Sequence, residues 1–189
     1  MNNERIKSLL GQIVAFWNVS LPNEELSLII TGGSAVLLHH QGRLATKDID
    51  ILVASNRMEI LSERLARFMK NGDGVRSDDP YLYIVLDAFA AMPRRYESRL
   101  TIHRQDGRAS IMRLHSIDLI LSKITRFGPK DRRDIETVLD HAEDEIESDQ
   151  LQRIFNEEQF TFEPDRAESL APRVEAIVRY FAGEIDSLE

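Results

Sequence analysis

The spacing of hydrophobic residues divides the chain into alternating helices and strands. Between residues 4 and 17, apolar side chains recur every three or four positions, which predicts a helix with one buried face. The residues of that face are Ile6, Leu9, Leu10, Ile13, Val14 and Trp17. Short apolar runs at 27–31, 48–53 and 81–87 predict strands, and the apolar run at 34–41 predicts a helix between the first two of them.

A further helix is predicted before the third strand, and a hairpin and several helices are predicted after it. Two strand-like runs, 99–104 and 109–114, flank Asp106-Gly107, a dipeptide typical of tight β-hairpins. A helix at 57–70 precedes the third strand, and its predicted buried face consists of Met58, Leu61, Leu65 and Phe68. Further helices are predicted at 117–127, with Ser116 as the cap, and at about 130–145, 149–157 and 166–182.

These elements predict an α/β (α+β) fold, in which helices flank a small mixed sheet of about five strands. We assign residues 1–115 to this core and residues 116–189 to a C-terminal helical region packed on it. The chain of 189 residues contains no cysteine, which excludes disulfides and thiolate metal sites and favours the cytoplasm. The sequence lacks a run of ~18 apolar residues, and its first residues predict an amphipathic helix and not a signal peptide, so we expect no membrane partner.

The charge of the chain is unevenly distributed. The formal net charge is −8, but residues 1–130 carry 18 Lys and Arg against 14 Asp and Glu, whereas residues 131–189 carry 6 against 18. The N-terminal part is therefore suited to a polyanion such as a nucleotide or RNA. The acidic C-terminal part is either a solvated helical surface or a surface that binds another protein.

The strongest chemical pattern lies between the first two predicted strands. Thr31-Gly32-Gly33-Ser34 follows the first strand, and Asp48 and Asp50 alternate at the start of the second. Alternate residues of a strand point to the same face, so the two carboxylates should lie side by side. Such a pair of oxygen ligands suits Mg²⁺. The glycines allow a sharp turn and a close approach to a ligand, and the start of the following helix favours phosphate.

Gly-Gly-Ser, a short helix and Asp48-Ile49-Asp50-Ile51 together resemble the sequence motif of the polymerase-β-like nucleotidyltransferases. Within that superfamily the chain is most similar to small bacterial AbiEii-type proteins, some of which are toxins of toxin–antitoxin pairs. In those relatives a helix carries a lysine, and a Lys-Asp-x-x-Asp segment opens the next helix. Lys123 and the segment 130–134 match this arrangement here.

The resemblance implies that Asp48 and Asp50 hold one or two Mg²⁺ and that a third carboxylate lies on a neighbouring strand. Asp87, at the end of the third predicted strand, is the best-placed candidate for this third catalytic and metal-binding acid; its alternative role is that of a solvent-facing residue. Asp78 and Asp79 are weaker candidates, because their sequence is typical of a turn.

The remaining site residues follow from the same resemblance. Lys123 is expected to act as a catalytic cation on the phosphates. The expected nucleotide-binding residues are Gly32, Gly33, Ser34, Lys47 and Arg126. Asp131 and Asp134 would either cap the helix that begins near residue 130 or orient Lys123 and Arg126 through salt bridges. The basic loop 92–99, which contains Tyr96, would either contact RNA or a triphosphate or form ordinary surface.

The function that these residues imply is Mg²⁺-dependent transfer of a nucleoside monophosphate from a nucleoside triphosphate (NTP) to a hydroxyl group. AbiEii-type relatives suggest RNA, particularly the end of tRNA, as the acceptor, and a place in a toxin–antitoxin pair. Two alternatives remain open: a small-molecule acceptor, or a non-catalytic, antitoxin-like module that binds a cognate protein through its acidic C-terminal region.

Overall fold

The computed structural model describes residues 3–39, 46, 48–53, 63, 65–68, 70, 81–86, 92–141, 146–157 and 165–188. For residues 39, 53, 81–86, 148 and 165–167 it describes the backbone alone. Several residues of the sequence predictions lie outside the described part of the chain. Met58 and Leu61 of the predicted helix 57–70 are among them, whereas residues 65–68 are helical and Leu65 and Phe68 are buried.

In its described residues, the first half of the chain supplies two helices and three strands, besides the helical residues 65–68. The helices are α1 (Asn3–Ser20) and α2 (Gly32–His39), and the strands are β1 (Leu26–Thr31), β2 (Asp48–Val53) and β3 (Tyr81–Leu86). All six residues of the predicted apolar face of α1 are buried. The predicted strands and helices of this half are therefore confirmed wherever the structure describes them.

In its described residues, the second half of the chain contains a hairpin and four α-helices. A short 3₁₀ turn, Tyr96–Arg99, leads into β4 (Thr101–Asp106) and β5 (Ala109–Arg113). The helices are α3 (Ser116–Lys123), α4 (Pro129–His141), α5 (Ser148–Glu157) and α6 (Asp165–Phe181). The predicted hairpin is confirmed, with Gly107 at φ +57° in the turn between β4 and β5. Ser116 is not the cap of α3: it is the first helical residue, and the His115 ring accepts a hydrogen bond from the backbone N–H of Ile117 at 3.3 Å.

The sheet is mixed and has the strand order β3-β2-β1-β5-β4. The pairs β1–β2 and β4–β5 are antiparallel, whereas β1–β5 and β2–β3 are parallel. The register of β1 with β2 places Thr31 opposite Asp50, so the end of β1 meets the start of β2. The predicted small mixed sheet with flanking helices is confirmed.

One hydrophobic cluster connects the sheet with the C-terminal helices. It includes Ile6 of α1, Ile30 of β1, Ile120 of α3, Val138 of α4 and Val174 of α6, each of which is fully buried. The packing of the C-terminal helical region on the core is consistent with the predicted division at residue 115, which itself stays a prediction.

Among the described residues, no helix has both the length and the apolar character that crossing a membrane requires.

Candidate active site

The turn after β1 lies directly against the start of β2. Gly32 adopts φ +63°, a left-handed conformation that favours glycine. A side chain at this position would collide with the carboxylate of Asp50, because a Cβ would lie 2.8 Å from Asp50 Cγ and closer still to Oδ2. The glycine is therefore required for two reasons: its backbone conformation and the space that the carboxylate occupies.

Ser34 holds this turn to β2. Its hydroxyl is fully buried, donates a hydrogen bond to the carbonyl of Thr31 at 2.8 Å and accepts one from the backbone N–H of Asp50 at 3.3 Å. The observed role of this hydroxyl is to connect β1, α2 and β2. A contact from residue 34 to a phosphate would therefore come from its backbone N–H group, because the hydroxyl already makes two hydrogen bonds within the fold.

Asp48 and Asp50 lie on one face of β2, as the alternation predicted. Both are partly exposed, whereas Ile49 and Ile51 are fully buried on the other face. Burial, and then the negative charge of Asp48, raise the pKa of Asp50, and the nearby cations Lys123, Lys130 and Arg126 oppose this rise. The carboxylate of Asp50 is thus in a place where a further positive charge would stabilise its ionised form.

Among the described residues of β3, no carboxylate stands beside Asp48 and Asp50 as the predicted third metal-binding acid. In the parallel register of β2 and β3, Tyr81 stands beside Asp48 and Tyr83 beside Asp50, while Leu86 stands beside Val53 at the far end of the strand. Asp87 lies outside the described residues, as do Asp78, Asp79 and Lys47. The register gives no support to Asp87 as the third acid, and its role stays a prediction.

The two aspartates nevertheless suit a magnesium ion. Among the residues that the structure describes, no cluster of three or more Asp, Glu or His side chains is arranged to hold a metal. Proteins commonly bind Mg²⁺ through one or two carboxylates together with substrate phosphates and waters. Two adjacent carboxylates with the raised pKa of Asp50 are consistent with such a site.

Three cations near the corner between α3 and α4, Lys123, Arg126 and Lys130, lie close enough to influence the charge of Asp50. Lys123, at the end of α3, is buried and donates a hydrogen bond from Nζ to Asp134 Oδ2 at 2.7 Å. Arg126 makes a two-pronged contact with Asp131, at 2.6 Å from Nε to Oδ2 and 2.5 Å from Nη2 to Oδ1. Both aspartates thus form the salt bridges that were one of the two predicted roles.

Asp131 also performs the capping role. Its Oδ2 accepts a hydrogen bond from the backbone N–H of Gly128 at 3.1 Å, just before α4. Burial by itself would raise the pKa of Asp131, but the hydrogen bond and charge of Arg126 and the Gly128 N–H lower it overall. The hydrogen bond to Asp131 in turn raises the pKa of Arg126. The buried aspartate therefore remains ionised and fixes the guanidinium group.

Lys130 joins the site from the first turn of α4, although we did not include it among the nucleotide-binding residues. A Cβ on Gly33 would lie 3.6 Å from Lys130 Nζ and 3.4 Å from Thr46 Oγ1, so the ammonium group lies over the glycine turn. The signal for this residue in the sequence is the Lys-Asp-x-x-Asp segment, of which Lys130 is the first residue.

A comparison with protein families matches residues 8–179 to the nucleotidyltransferases of unknown function designated DUF6036. The chain belongs to this family. The match spans the sheet, the Gly-Gly turn, both aspartates and most of α6, so it covers every described residue of the candidate site. A comparison with curated proteins finds no match.

Membership in a nucleotidyltransferase family agrees with the chemistry of the site. The candidate site of this chain combines two carboxylates on β2, a glycine turn at the start of α2 and three cations, which come from α3, α4 and the turn between them. Carboxylates bind metal ions, and cations and helix N-termini bind phosphate oxygens. An arrangement of this kind is suited to a metal-bound polyphosphate.

Proposed function

We propose that this chain transfers a nucleoside monophosphate from an NTP to a hydroxyl group of an RNA acceptor and releases pyrophosphate. The observation that supports the proposal most is the contact of Gly32 with Asp50. The glycine turn and the carboxylate of Asp50 lie against each other, and Lys123, Lys130 and Arg126 are close enough to influence Asp50, which supports a joint role in binding a metal and phosphates.

Each group has a distinct task in this proposal. The backbone N–H groups at the start of α2 and the ammonium group of Lys130 bind the β- and γ-phosphates. Lys123 and Arg126 hold positive charge near Asp50, where the α-phosphate would lie. Asp48 and Asp50 would hold Mg²⁺, whose positive charge would favour phosphate oxygens and a deprotonated acceptor hydroxyl at this place.

The bond changes are those of a nucleotidyl transfer. The acceptor oxygen forms a bond to the α-phosphorus while the bond from that phosphorus to the bridging oxygen of pyrophosphate breaks. The hydroxyl proton leaves to solvent, and pyrophosphate departs with the electron pair. Enzymes of this kind work mainly by positioning and by stabilising charge, which fits a site composed of carboxylates and cations.

RNA is our proposed acceptor because of the resemblance to AbiEii-type proteins and the surplus of basic residues in the first 130. The same resemblance suggests a cognate partner of the toxin–antitoxin type, for which the acidic helices after residue 130 are the proposed contact surface.

The test is incorporation of labelled α-phosphate from each of the four NTPs into total tRNA, into a mixture of small hydroxyl compounds and into the protein itself. The Asp48→Ala, Asp50→Ala double variant is compared with a control that lacks two exposed carboxylates, Glu175→Ala, Asp186→Ala. We expect label in tRNA with the native protein and the control, and none with the site variant. Label confined to small compounds would assign a small-molecule acceptor. If no acceptor is labelled, the catalytic proposal fails and a binding role gains weight.

A further inference from the structure

A second basic site lies away from the two aspartates, between the loop 92–100 and helix α5. It is a pocket of about 650 Å³. Four arginines line it, together with a glutamine and a glutamate: Arg94, Arg95, Arg99, Arg153, Gln150 and Glu157. Its volume lies within the range of small-ligand sites, and its lining carries a surplus of positive charge.

One of these arginines is firmly held. Arg99 contacts Asp118 at two points, 2.9 Å from Nε to Oδ2 and 2.7 Å from Nη2 to Oδ1, and Asp118 is fully buried in the first turn of α3. Because Asp118 compensates the charge of Arg99, Arg99 mainly forms part of the pocket wall. Arg94, Arg95 and Arg153 are exposed, and Arg153 forms a long, exposed ion pair with Asp149, 3.9 Å from Nη1 to Oδ2. Because exposed pairs of this kind contribute little, these side chains are accessible to a ligand.

The pocket favours phosphate over nucleobases. A guanidinium group matches a phosphate with two parallel hydrogen bonds. The aromatic residue of the loop, Tyr96, is only 3% exposed, so it presents no surface on which a base could stack. The loop therefore offers a ligand positive charge and no aromatic surface. Contacts of this type position a nucleic-acid backbone without reading its sequence.

We propose that this pocket binds backbone phosphates of a single-stranded RNA acceptor. The inference rests on the proposed function and adds to it the surface that holds the acceptor. Helix α3 connects the two sites: Asp118, which holds Arg99, and Lys123, which influences Asp50, are five positions apart, or about 7.5 Å along the helix axis. The proposed function assigns the triphosphate to Lys130 and the glycine turn, beside Lys123 and Arg126, which leaves the arginine pocket for the acceptor.

The test measures RNA binding alone, without NTP and in the presence of a chelator. A labelled single-stranded oligouridylate is titrated with the native protein, with Arg94→Ala, Arg153→Ala and with a control that also loses two exposed arginines, Arg67→Ala, Arg179→Ala. We expect the pocket variant to bind about tenfold more weakly and the control to bind like the native protein. The slope of log affinity against log salt should fall by about 1.4 in the pocket variant, since each single-strand phosphate contact contributes about 0.7.

Three results would overturn the inference. The first is a loss of RNA affinity in the pocket variant that is no larger than the loss in the control. The second is displacement of the RNA by inorganic triphosphate at concentrations that saturate the candidate active site, which would assign the pocket to the NTP. The third is tighter binding of polyglutamate than of RNA, which would assign it to an acidic protein.

The binding assay also separates this inference from the proposed function. Asp48→Ala, Asp50→Ala should bind the oligonucleotide like the native protein, because neither aspartate lines the pocket. Normal RNA binding without nucleotidyl transfer would remove the proposed function alone. Transfer to tRNA with an unchanged affinity in Arg94→Ala, Arg153→Ala would remove the pocket inference alone.

Discussion

Gly32 shows how one residue links backbone conformation to chemistry. Its positive φ turns the chain from β1 into α2, and its missing side chain leaves room for the carboxylate of Asp50. Ser34 then fixes the spacing between the turn and the backbone of β2. The geometry of the candidate site therefore depends on residues that have no catalytic group of their own.

Replacing Gly32 by alanine should damage both stability and activity. The left-handed backbone costs a non-glycine residue roughly 1–2 kcal/mol, and the collision with Asp50 adds to this cost. We expect a loss of about 3 kcal/mol in the free energy of unfolding, measured with urea, together with loss of nucleotidyl transfer.

Gly183→Ala is the matched control for this substitution. Gly183 has φ +71°, but a Cβ there would meet nothing within 4 Å. We expect it to lose only the backbone contribution, roughly 1–2 kcal/mol. Equal losses for the two variants would show that the contact between Gly32 and Asp50 is not tight.

At the scale of elements, the corner between α3 and α4 is organised by two ion pairs. Lys123 with Asp134 is almost entirely buried, whereas Arg126 with Asp131 has an exposed guanidinium group and a buried carboxylate. Phe127, at φ +51°, lies in the turn after α3, and the guanidinium carbons of Arg132 and Arg173 lie 5.9 and 5.7 Å from its ring centroid. This corner carries the cations that face Asp50.

The pair Lys123–Asp134 allows structure and function to be separated. Asp134→Ala should lower the free energy of unfolding by about 3–5 kcal/mol, because it leaves a buried ammonium group without its partner. Lys123→Met, Asp134→Leu should recover most of this stability, because buried ion pairs are often replaced by apolar pairs without loss. The double variant should nevertheless lack nucleotidyl transfer if Lys123 acts on the phosphates. Full activity in the double variant would limit Lys123 to a structural role.

Asp131 should make stability depend on acidity. Its pKa is lowered in the folded protein, so its contribution is fully present above the unfolded value near 4 and is lost as the pH falls through the lower folded value. Asp131→Asn should therefore unfold at lower urea than the native protein at neutral pH. The difference should shrink as the pH falls below 4, and a difference that persists in strong acid would contradict the assigned contacts.

Much of this organisation follows from local sequence patterns, and the rest depends on tertiary contacts. The apolar face of α1 and the alternation of Asp48 with Ile49 are periodicities, so the sequence predicted them correctly. The position of Lys130 over Gly33 depends on how α4 crosses α2, which no local pattern contains. Tyr96 shows the same limit, because only the folded chain reveals that its ring is buried.

At the scale of the whole molecule, the end of the C-terminal region forms hydrogen bonds with the segments that carry the cations of the candidate site. Arg173 of α6 donates hydrogen bonds from Nη1 to the carbonyls of Ile124 and Thr125, at 2.5 and 2.7 Å, at the end of α3. Near the end of the described chain, the backbone N–H of Leu188 donates to Glu136 of α4 at 2.7 Å. The helices after residue 115 thus hold the corner that carries Lys123, Arg126 and Lys130.

Removing the Arg173 side chain should weaken this support. Arg173→Ala leaves two carbonyls without their charged donor, and we expect a loss of about 1–3 kcal/mol in the free energy of unfolding together with a lower transfer rate. Arg179→Ala, which removes an exposed ion pair with Glu184, should lose less than about 1 kcal/mol. Normal transfer by Arg173→Ala would show that the corner keeps its position without α6.

The central claim, that Asp48 and Asp50 form a metal site for an NTP, has a direct test that needs no knowledge of the acceptor. Thermal unfolding is measured with Mg²⁺, with a non-hydrolysable NTP, with both and with neither, for the native protein and for Asp48→Asn, Asp50→Asn. A ligand present at 100 times its dissociation constant stabilises the folded state by about 2.7 kcal/mol, a readily measured shift in melting temperature. We predict this shift for the native protein only when metal and nucleotide are present together, and no shift for the variant. An equal shift in the variant, or no shift in either protein, would contradict the account.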